Sequence, residues 1–193
     1  FFPSSKTLNI LDEKKIRKYL TLKKPKYLIH AAALSRPMSL HDKYISKSID
    51  LNIIGTANIT KICIELSIKL IFISTSYVYP GDKGNYKEKD PIRPINNYGL
   101  SKMGGEAAVQ MYKNSLILRA SMTEKPFVHK KAFNDFITNF IYHEDFIKLL
   151  LKLLDKKGIV NIGGKQQSVF NFAKSKKIKV KSISARKILG KNA

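Results

Sequence analysis

The sequence has no tryptophan, one cysteine, and only 14 acidic residues against 36 basic ones in a chain of 193. A single thiol excludes a disulfide framework and fits a reducing compartment. Cys63 lies in an apolar helical pattern between Ile62 and Ile64. With no flanking charge to activate it, it reads as a core residue. No apolar run approaches the roughly 18 to 20 residues that a membrane span needs. The opening Phe1-Phe2-Pro3-Ser4-Ser5-Lys6 lacks the basic-then-apolar order of a secretory signal. The expectation is a cytoplasmic protein with no membrane partner. The four histidines, His30, His41, His129 and His143, are scattered without ligand spacing, so no metal site is expected.

The shortage of acids leaves a formal charge of +22, which invites a nucleic-acid reading. Arginine is scarce as well: Arg17, Arg36, Arg93, Arg119 and Arg186 are the only five, so lysine makes up the remaining 31 basic residues. Base readers and phosphate clamps rely on the arginine fork, and these lysines run along the whole chain. The charge therefore reads as a solvated lysine-rich surface that still attracts an anionic substrate, with no nucleic-acid partner.

What is present is a globular composition, 44% hydrophobic with 10% aromatics. Asp12 is placed to cap a helix over Glu13 to Leu20, and Tyr27 to Ala32 reads as a buried strand. A long helical pattern runs from about Tyr44 to Ser67. Strand Leu70 to Ile73 is followed by a loop holding Pro80, Gly81, Gly84, Pro91 and Pro94, then by a helix from Tyr98 to about Tyr112. Further elements are strand Ser115 to Leu118, helix Glu144 to Leu154, strand Gly158 to Ile162, a short helix over Phe170 to Lys174 capped by Ser168, and a weak strand from Ile178 to Ile183. No internal repeat is visible. Strands alternating with helices predict an α/β fold with a mostly parallel sheet.

The stretch from Lys69 to Ala108 carries the chemistry. An apolar strand ends in Ser74-Thr75-Ser76, and Tyr98 and Lys102 stand one helical turn apart at the start of a helix. Carbonyl reduction needs such a set: a tyrosine to move a proton, a lysine to lower its pKa, and a hydroxyl to hold the substrate oxygen. Tyr-x-x-x-Lys alone is weak, since Tyr19–Lys23 and Tyr79–Lys83 share it. Only Tyr98 both opens a helix and follows a strand ending in hydroxyls.

With Leu28-Ile-His-Ala-Ala-Ala33, Asn52-Ile-Ile-Gly-Thr56, Pro94 to Glu106, Leu118-Arg-Ala-Ser121 and Gly158 to Gly164, this block resembles the extended short-chain dehydrogenase/reductases. The likeness is strongest to their sugar-nucleotide reductases of the dTDP-4-dehydrorhamnose reductase type. It implies a Rossmann-like doubly wound sheet, with residues 1–120 a partial dinucleotide-binding core and 121–193 a small, reduced substrate lobe of the same single domain. It implies NADPH or NADH as cofactor, a nucleotide sugar as substrate, and allows for a homodimer.

Carried over, Tyr98 is the general acid, Lys102 holds the nicotinamide ribose and depresses the Tyr98 pKa, and Thr75 hydrogen-bonds the substrate oxygen. Ala31, Ala32 and Ala33 fit a cofactor passing over the backbone, or close helix–sheet packing. Ser74, on the cofactor side, is the second choice for the substrate hydroxyl, its side chain facing the opposite side of the strand from Thr75. Asn52 holds a water in the proton path or makes a buried polar bond. Ser76, Tyr77 and Met122 fall at substrate-contacting positions, and Tyr77 has a core reading as well. Arg119 reaches an anionic group or forms a structural ion pair.

Three departures stand out. The Gly-x-x-Gly-x-x-Gly phosphate turn and its strand, which open the family's chains, are absent, so a fragment of a longer protein is expected. Ser76 replaces the reductases' usual Asp, and Met122 their usual Trp. The segment 123–139 is short for a substrate lobe. The implied activity is reduction of a 4-keto sugar nucleotide in deoxysugar and polysaccharide synthesis. The alternatives are an NAD-dependent sugar-nucleotide epimerase or dehydratase, or a non-catalytic reductase-like binding or regulatory subunit.

Overall fold

The computed structural model of the protein describes residues 1–175 and 179–189. In chain order the elements are α1 (Glu13–Lys23), β1 (Tyr27–His30), α2 (Ser39–Lys43), α3 (Ile45–Ile49), a π-helical segment (Asp50–Ile54), α4 (Gly55–Glu65), β2 (Lys69–Thr75) and a 3-10 turn (Ser76–Val78). There follow α5 (Asn97–Gln110), β3 (Ser115–Ala120), β4 (Met122–Thr123), β5 (Lys131–Phe133), β6 (Ile137–Thr138), β7 (Ile141–Tyr142), α6 (His143–Leu153), β8 (Gly158–Ile162), β9 (Gln167–Ser168), α7 (Val169–Ser175), β10 (Lys181–Ile183) and α8 (Ala185–Leu189). The chain divides into two compact units: Phe1–Arg119 with Leu154–Asn161, and Ala120–Leu153 with the residues from Ile162 onward.

The first unit is built on a four-stranded sheet in the order β1-β2-β3-β8. β1 and β2 pair in parallel with Tyr27 opposite Lys69 and His30 opposite Phe72. The three elements α3, π segment and α4 make the crossover between them, and α5 connects β2 to β3. This is the Rossmann-like α/β fold. β2 and β3 are buried along almost their whole length, as strands covered on both faces must be, which is why they read as continuous apolar runs. Ile16, Leu20, Ile59, Ile62, Cys63, Leu70, Phe72, Val109 and Ile117 form the core between sheet and helices. Asp12 caps α1 by accepting from the Lys15 amide at 3.0 Å.

Two differences from the sequence reading matter. The helix expected over 44–67 is interrupted: α3 passes into the π segment at Asp50 before α4 resumes at Gly55. β1 also ends at His30, so Ala31 and Ala32 lie beyond the strand with exposed side chains. The second unit has its own core of Phe127, Ala132, Tyr142, Val169, Phe172 and Ala173. It is organised by short two-stranded pairs, β4 with β7, β5 with β10 and β6 with β9, which the sequence reading did not contain apart from the last strand. Of that expected strand, 178–183, the part at 181–183 is present and position 178 lies outside the described residues. Ser168 accepts from the Asn171 amide at 3.1 Å and starts α7 as expected.

Candidate functional site

The N-terminus of α5 is set by Asn96, whose side chain accepts from the Gly99 amide at 2.8 Å. Gly99 is required there by close approach: a Cβ would lie 2.4 Å from the Tyr77 carbonyl oxygen, in the 3-10 turn that follows β2. The contact brings the end of β2 against the first turn of α5. Tyr98, Lys102 and Glu106 then follow at intervals of four and share one face of the helix.

Thr75, the last residue of β2, is buried, and its hydroxyl hydrogen-bonds the Tyr98 phenol. The same oxygen accepts from the Tyr77 amide at 3.3 Å. The Tyr98 ring is flanked by His41 at 5.0 Å and by Tyr77 at 5.9 Å between centroids. Burial raises the Tyr98 pKa above the ordinary phenol value, while the Thr75 hydrogen bond opposes the rise. At neutral pH the phenol holds its proton, as a general acid must.

Lys102 is buried, 3% exposed, with its Nζ 4.1 Å from the centre of the Phe72 ring. Desolvation pulls its pKa down to about 7, and the Glu106 carboxylate works against that fall. His30 stacks on the same ring at 5.5 Å and is hydrogen-bonded through Nε2 to Thr56 Oγ1 at 3.0 Å. Desolvation, helped by the Lys102 charge, drops the His30 pKa to about 3, so this imidazole is neutral. The centre thus combines a protonated phenol, a buried amine poised near neutrality and a hydroxyl, all on one strand end and one helix face.

The remaining sequence-predicted residues fall as follows. Asn52 is buried inside the π segment. Its Oδ1 accepts from the Leu34 amide at 2.8 Å, and its Nδ2 donates to Leu34 O and to Ser101 Oγ, at 2.9 and 2.8 Å. These buried polar bonds tie the loop after β1 to α5. Ala33 is half-buried in that loop. Ser74 points away from Thr75 and donates to Glu106 Oε1 at 2.5 Å. Ser76 and Tyr77 form the 3-10 turn beside Tyr98, with Tyr77 38% exposed. Met122 opens β4 in the second unit.

Arg119 resolves to its ion-pair reading: it is 3% exposed and grips the fully buried Glu106 with Nε and Nη2, the latter at 2.8 Å from Oε2. Its Nη1 donates to Tyr79 Oη at 2.8 Å. Glu106 is the organising residue that sequence reasoning met only as part of a motif. The signal that could have found it is a carboxylate at the third step of the Tyr98–Lys102 face, opposite the lone charge of an otherwise apolar strand, Ser115–Ala120. Among the described residues no cluster of His, Cys, Asp and Glu is arranged to hold a metal ion, and no helix is long and apolar enough to cross a membrane.

A family model described as the RmlD substrate binding domain matches residues 2–168. The chain is 30% identical over 141 residues to the dTDP-4-dehydrorhamnose reductase of Aggregatibacter actinomycetemcomitans, covering 72% of this chain and 42% of that protein. It is 33% identical over 118 residues to methionine adenosyltransferase 2 subunit beta of Xenopus laevis, covering 61% of this chain and 35% of the relative. The match therefore spans well under half the length of either protein. The crystal structure of dTDP-4-dehydrorhamnose reductase from Bacillus anthracis in complex with NADP superposes with a TM-score of 0.87 at 25% identity, over 96% of this chain and 75% of that one.

Proposed function

The chain belongs to the RmlD substrate binding domain family within the extended short-chain dehydrogenase/reductases, and on that premise we propose that it is the catalytic part of an NAD(P)H-dependent reductase of a 4-keto sugar nucleotide. The observation that carries this reading is the junction of β2 and α5, where Thr75 bonds the phenol of Tyr98 and Lys102 lies one turn further on the same helix face. The reading favours NADPH, because the Bacillus anthracis relative was crystallised with NADP. Its setting is the reducing cytoplasm.

The residues present fit the nicotinamide end of such a cofactor. Lys102 is a buried ammonium set over an aromatic face and within the field of Glu106, suited to ribose hydroxyls. Ala31 and Ala32 present small exposed side chains just past β1. No Gly-x-x-Gly-x-x-Gly turn occurs in the 193 residues, so the pyrophosphate has no cradle among them. When bound, the reduced nicotinamide supplies the hydride. Tyr98 gives its proton to the C4 oxygen as negative charge develops there. Thr75 donates a hydrogen bond to the same oxygen from a fixed position. The Thr75 hydrogen bond and the Arg36 charge oppose the rise that burial causes in the phenol pKa, and Lys102 is assigned to lower it further when the cofactor is bound. Ser76, Tyr77 and Met122 are assigned to the substrate side.

Replacing Tyr98 by Phe removes the proton donor and little else. In the full-length protein, turnover of dTDP-4-dehydrorhamnose with NADPH is expected to fall by about two to four orders of magnitude, with NADPH binding nearly unchanged by fluorescence titration. Undiminished turnover sinks the assignment of Tyr98. A second reading has its own observation: the similarity to methionine adenosyltransferase 2 subunit beta favours a reductase-like subunit of another enzyme. That reading expects no turnover of any keto sugar in wild type or variant, so the same pair of assays separates the two.

A further inference from the structure

Two adjacent side chains of the short helix α2 meet two adjacent side chains at the start of α5. Asp42 Oδ1 accepts from Asn97 Nδ2 at 2.8 Å. His41 lays its imidazole beside the Tyr98 ring, with centroids 5.0 Å apart and the planes tilted by 56°. Tyr77 meets the same ring edge-on at 5.9 Å. His41 is 1% exposed, and no step assigned to the site uses it. A buried imidazole carries two polar nitrogens that need partners. Both are supplied. Nδ1 lies 2.7 Å from the buried Ser48 hydroxyl on α3, and Nε2 lies 3.4 Å from the Ser35 carbonyl oxygen in the loop after β1. A carbonyl oxygen only accepts, so Nε2 carries a proton. The two partners fix the ring from both of its edges, since an imidazole turned out of this plane loses both. Phenylalanine would offer Tyr98 an aromatic face and leave the Ser48 hydroxyl and the Ser35 carbonyl without their partner. Histidine is the side chain that serves all three.

We propose that His41 is a positioning residue for Tyr98: its imidazole, anchored by Ser48 and the Ser35 carbonyl, is the wall that holds the phenol ring in its orientation at the end of β2. Asp42 supports that wall by tying α2 to the first residue of α5. The purpose of the wall rests on the reductase reading, because a proton donor must point at the oxygen it serves, and a displacement of about 1 Å costs up to about 100-fold in rate. Its existence does not rest on that reading. Around the phenol stand Thr75 and Tyr77 from the end of β2, Arg36 from the loop after β1 and His41 from α2. Of these, only His41 is held by groups that do not themselves face Tyr98, so its anchors can be cut without touching the phenol's other neighbours.

The test uses cofactor-free protein carrying tyrosine labelled with 13C at Cζ. The Tyr98 resonance is identified by its absence from Tyr98→Phe, and its titration midpoint is read by NMR. Burial holds that midpoint above the ordinary phenol value of 10. Ser48→Ala cuts one anchor and leaves the imidazole in place. With the ring free to turn, water reaches the phenol, and the midpoint is expected to fall toward 10 by about half a pH unit. His41→Phe keeps an aromatic ring without anchors and is expected to give a similar fall, and His41→Ala a larger one. A midpoint unmoved in either folded variant, Ser48→Ala or His41→Phe, overturns the proposal, because a histidine that merely fills the core would change stability and leave Tyr98 alone. With NADPH and dTDP-4-dehydrorhamnose, the same two variants are expected to lower kcat by about 10-fold with KM nearly unchanged, as loss of an interaction realised in the transition state does. An undiminished kcat in both also overturns the proposal. A wild-type protein without turnover sinks the reductase reading alone, and the midpoints then decide on His41.

Discussion

His30 ends β1 with its ring almost entirely out of solvent, stacked on Phe72 and bonded to Thr56. Burial and the Lys102 charge take its pKa from 6.5 to about 3. Between those two values the unfolded chain binds a proton that the folded protein refuses. Stability tied to neutral His30 is thus fully present above pH 6.5 and is lost as pH falls through the window toward 3. Denaturant unfolding between pH 7 and about 4 is expected to show this loss. His30→Gln, which has no proton to take up, is expected to flatten that part of the curve; equal slopes in the two proteins would remove His30 as the cause. The same physics acts with opposite sign on Cys63, an acid whose pKa burial pushes up to about 12. Its core reading from sequence agrees with its full burial.

At the scale of elements, α5 is seated by a glycine against an irregularity. α5 crosses the π segment at Gly105, where a Cβ would lie 2.6 Å from the Asn52 carbonyl oxygen and 3.2 Å from the Phe72 ring. Backbone cannot step aside as a side-chain tip can. Gly105→Ala is therefore expected to destabilise by about 1–3 kcal/mol through overpacking, outweighing the gain in helix propensity of about 1 kcal/mol. At neighbouring Gly104 the added Cβ meets only the Ile53 side chain, 2.8 Å from Cδ1, so Gly104→Ala is expected to be much milder. Chemical denaturation of the two variants checks the contrast, and similar losses at both sites would refute it.

This crossing also marks where the sequence stopped being readable. Apolar periodicity located α1, β1, β2, α5, β3, α6 and β8 within a few residues, because each buries an apolar face of its own. It could not register the passage from α3 into the π segment, since one widened turn alters the hydrogen-bond ladder and not the hydrophobic pattern. In the second unit, pairs such as Met122–Thr123 with Ile141–Tyr142 are too short to carry any period. The meeting of Thr75 with Tyr98 was legible because a strand ending in hydroxyls and a helix opening on Tyr-x-x-x-Lys form a recognisable motif. The Glu106–Arg119 clamp was not, since only folding shows that an arginine in an apolar strand faces that carboxylate.

For the whole molecule, the governing number is +22, from 36 basic and 14 acidic residues. Two electrostatic effects compete. Exposed ion pairs such as Arg17–Glu65 at 2.8 Å and Lys61–Glu13 at 2.7 Å favour the folded state, yet each such surface pair is worth only about 0–1 kcal/mol. Against them stands repulsion among the unmatched lysines, which compaction intensifies. Salt separates the two, because screening acts hardest on charges further apart than the Debye length, about 10 Å at 0.1 M. Contact pairs survive it and diffuse repulsion does not. The urea midpoint is therefore expected to rise from about 20 mM to about 500 mM sodium chloride, with the slope m unchanged. Chloride is the salt to use, since sulfate also strengthens burial by exclusion from the surface. A midpoint that stays level or falls would mean that the few ion pairs outweigh the excess charge, and that the lysine-rich surface is solvated without strain on the fold.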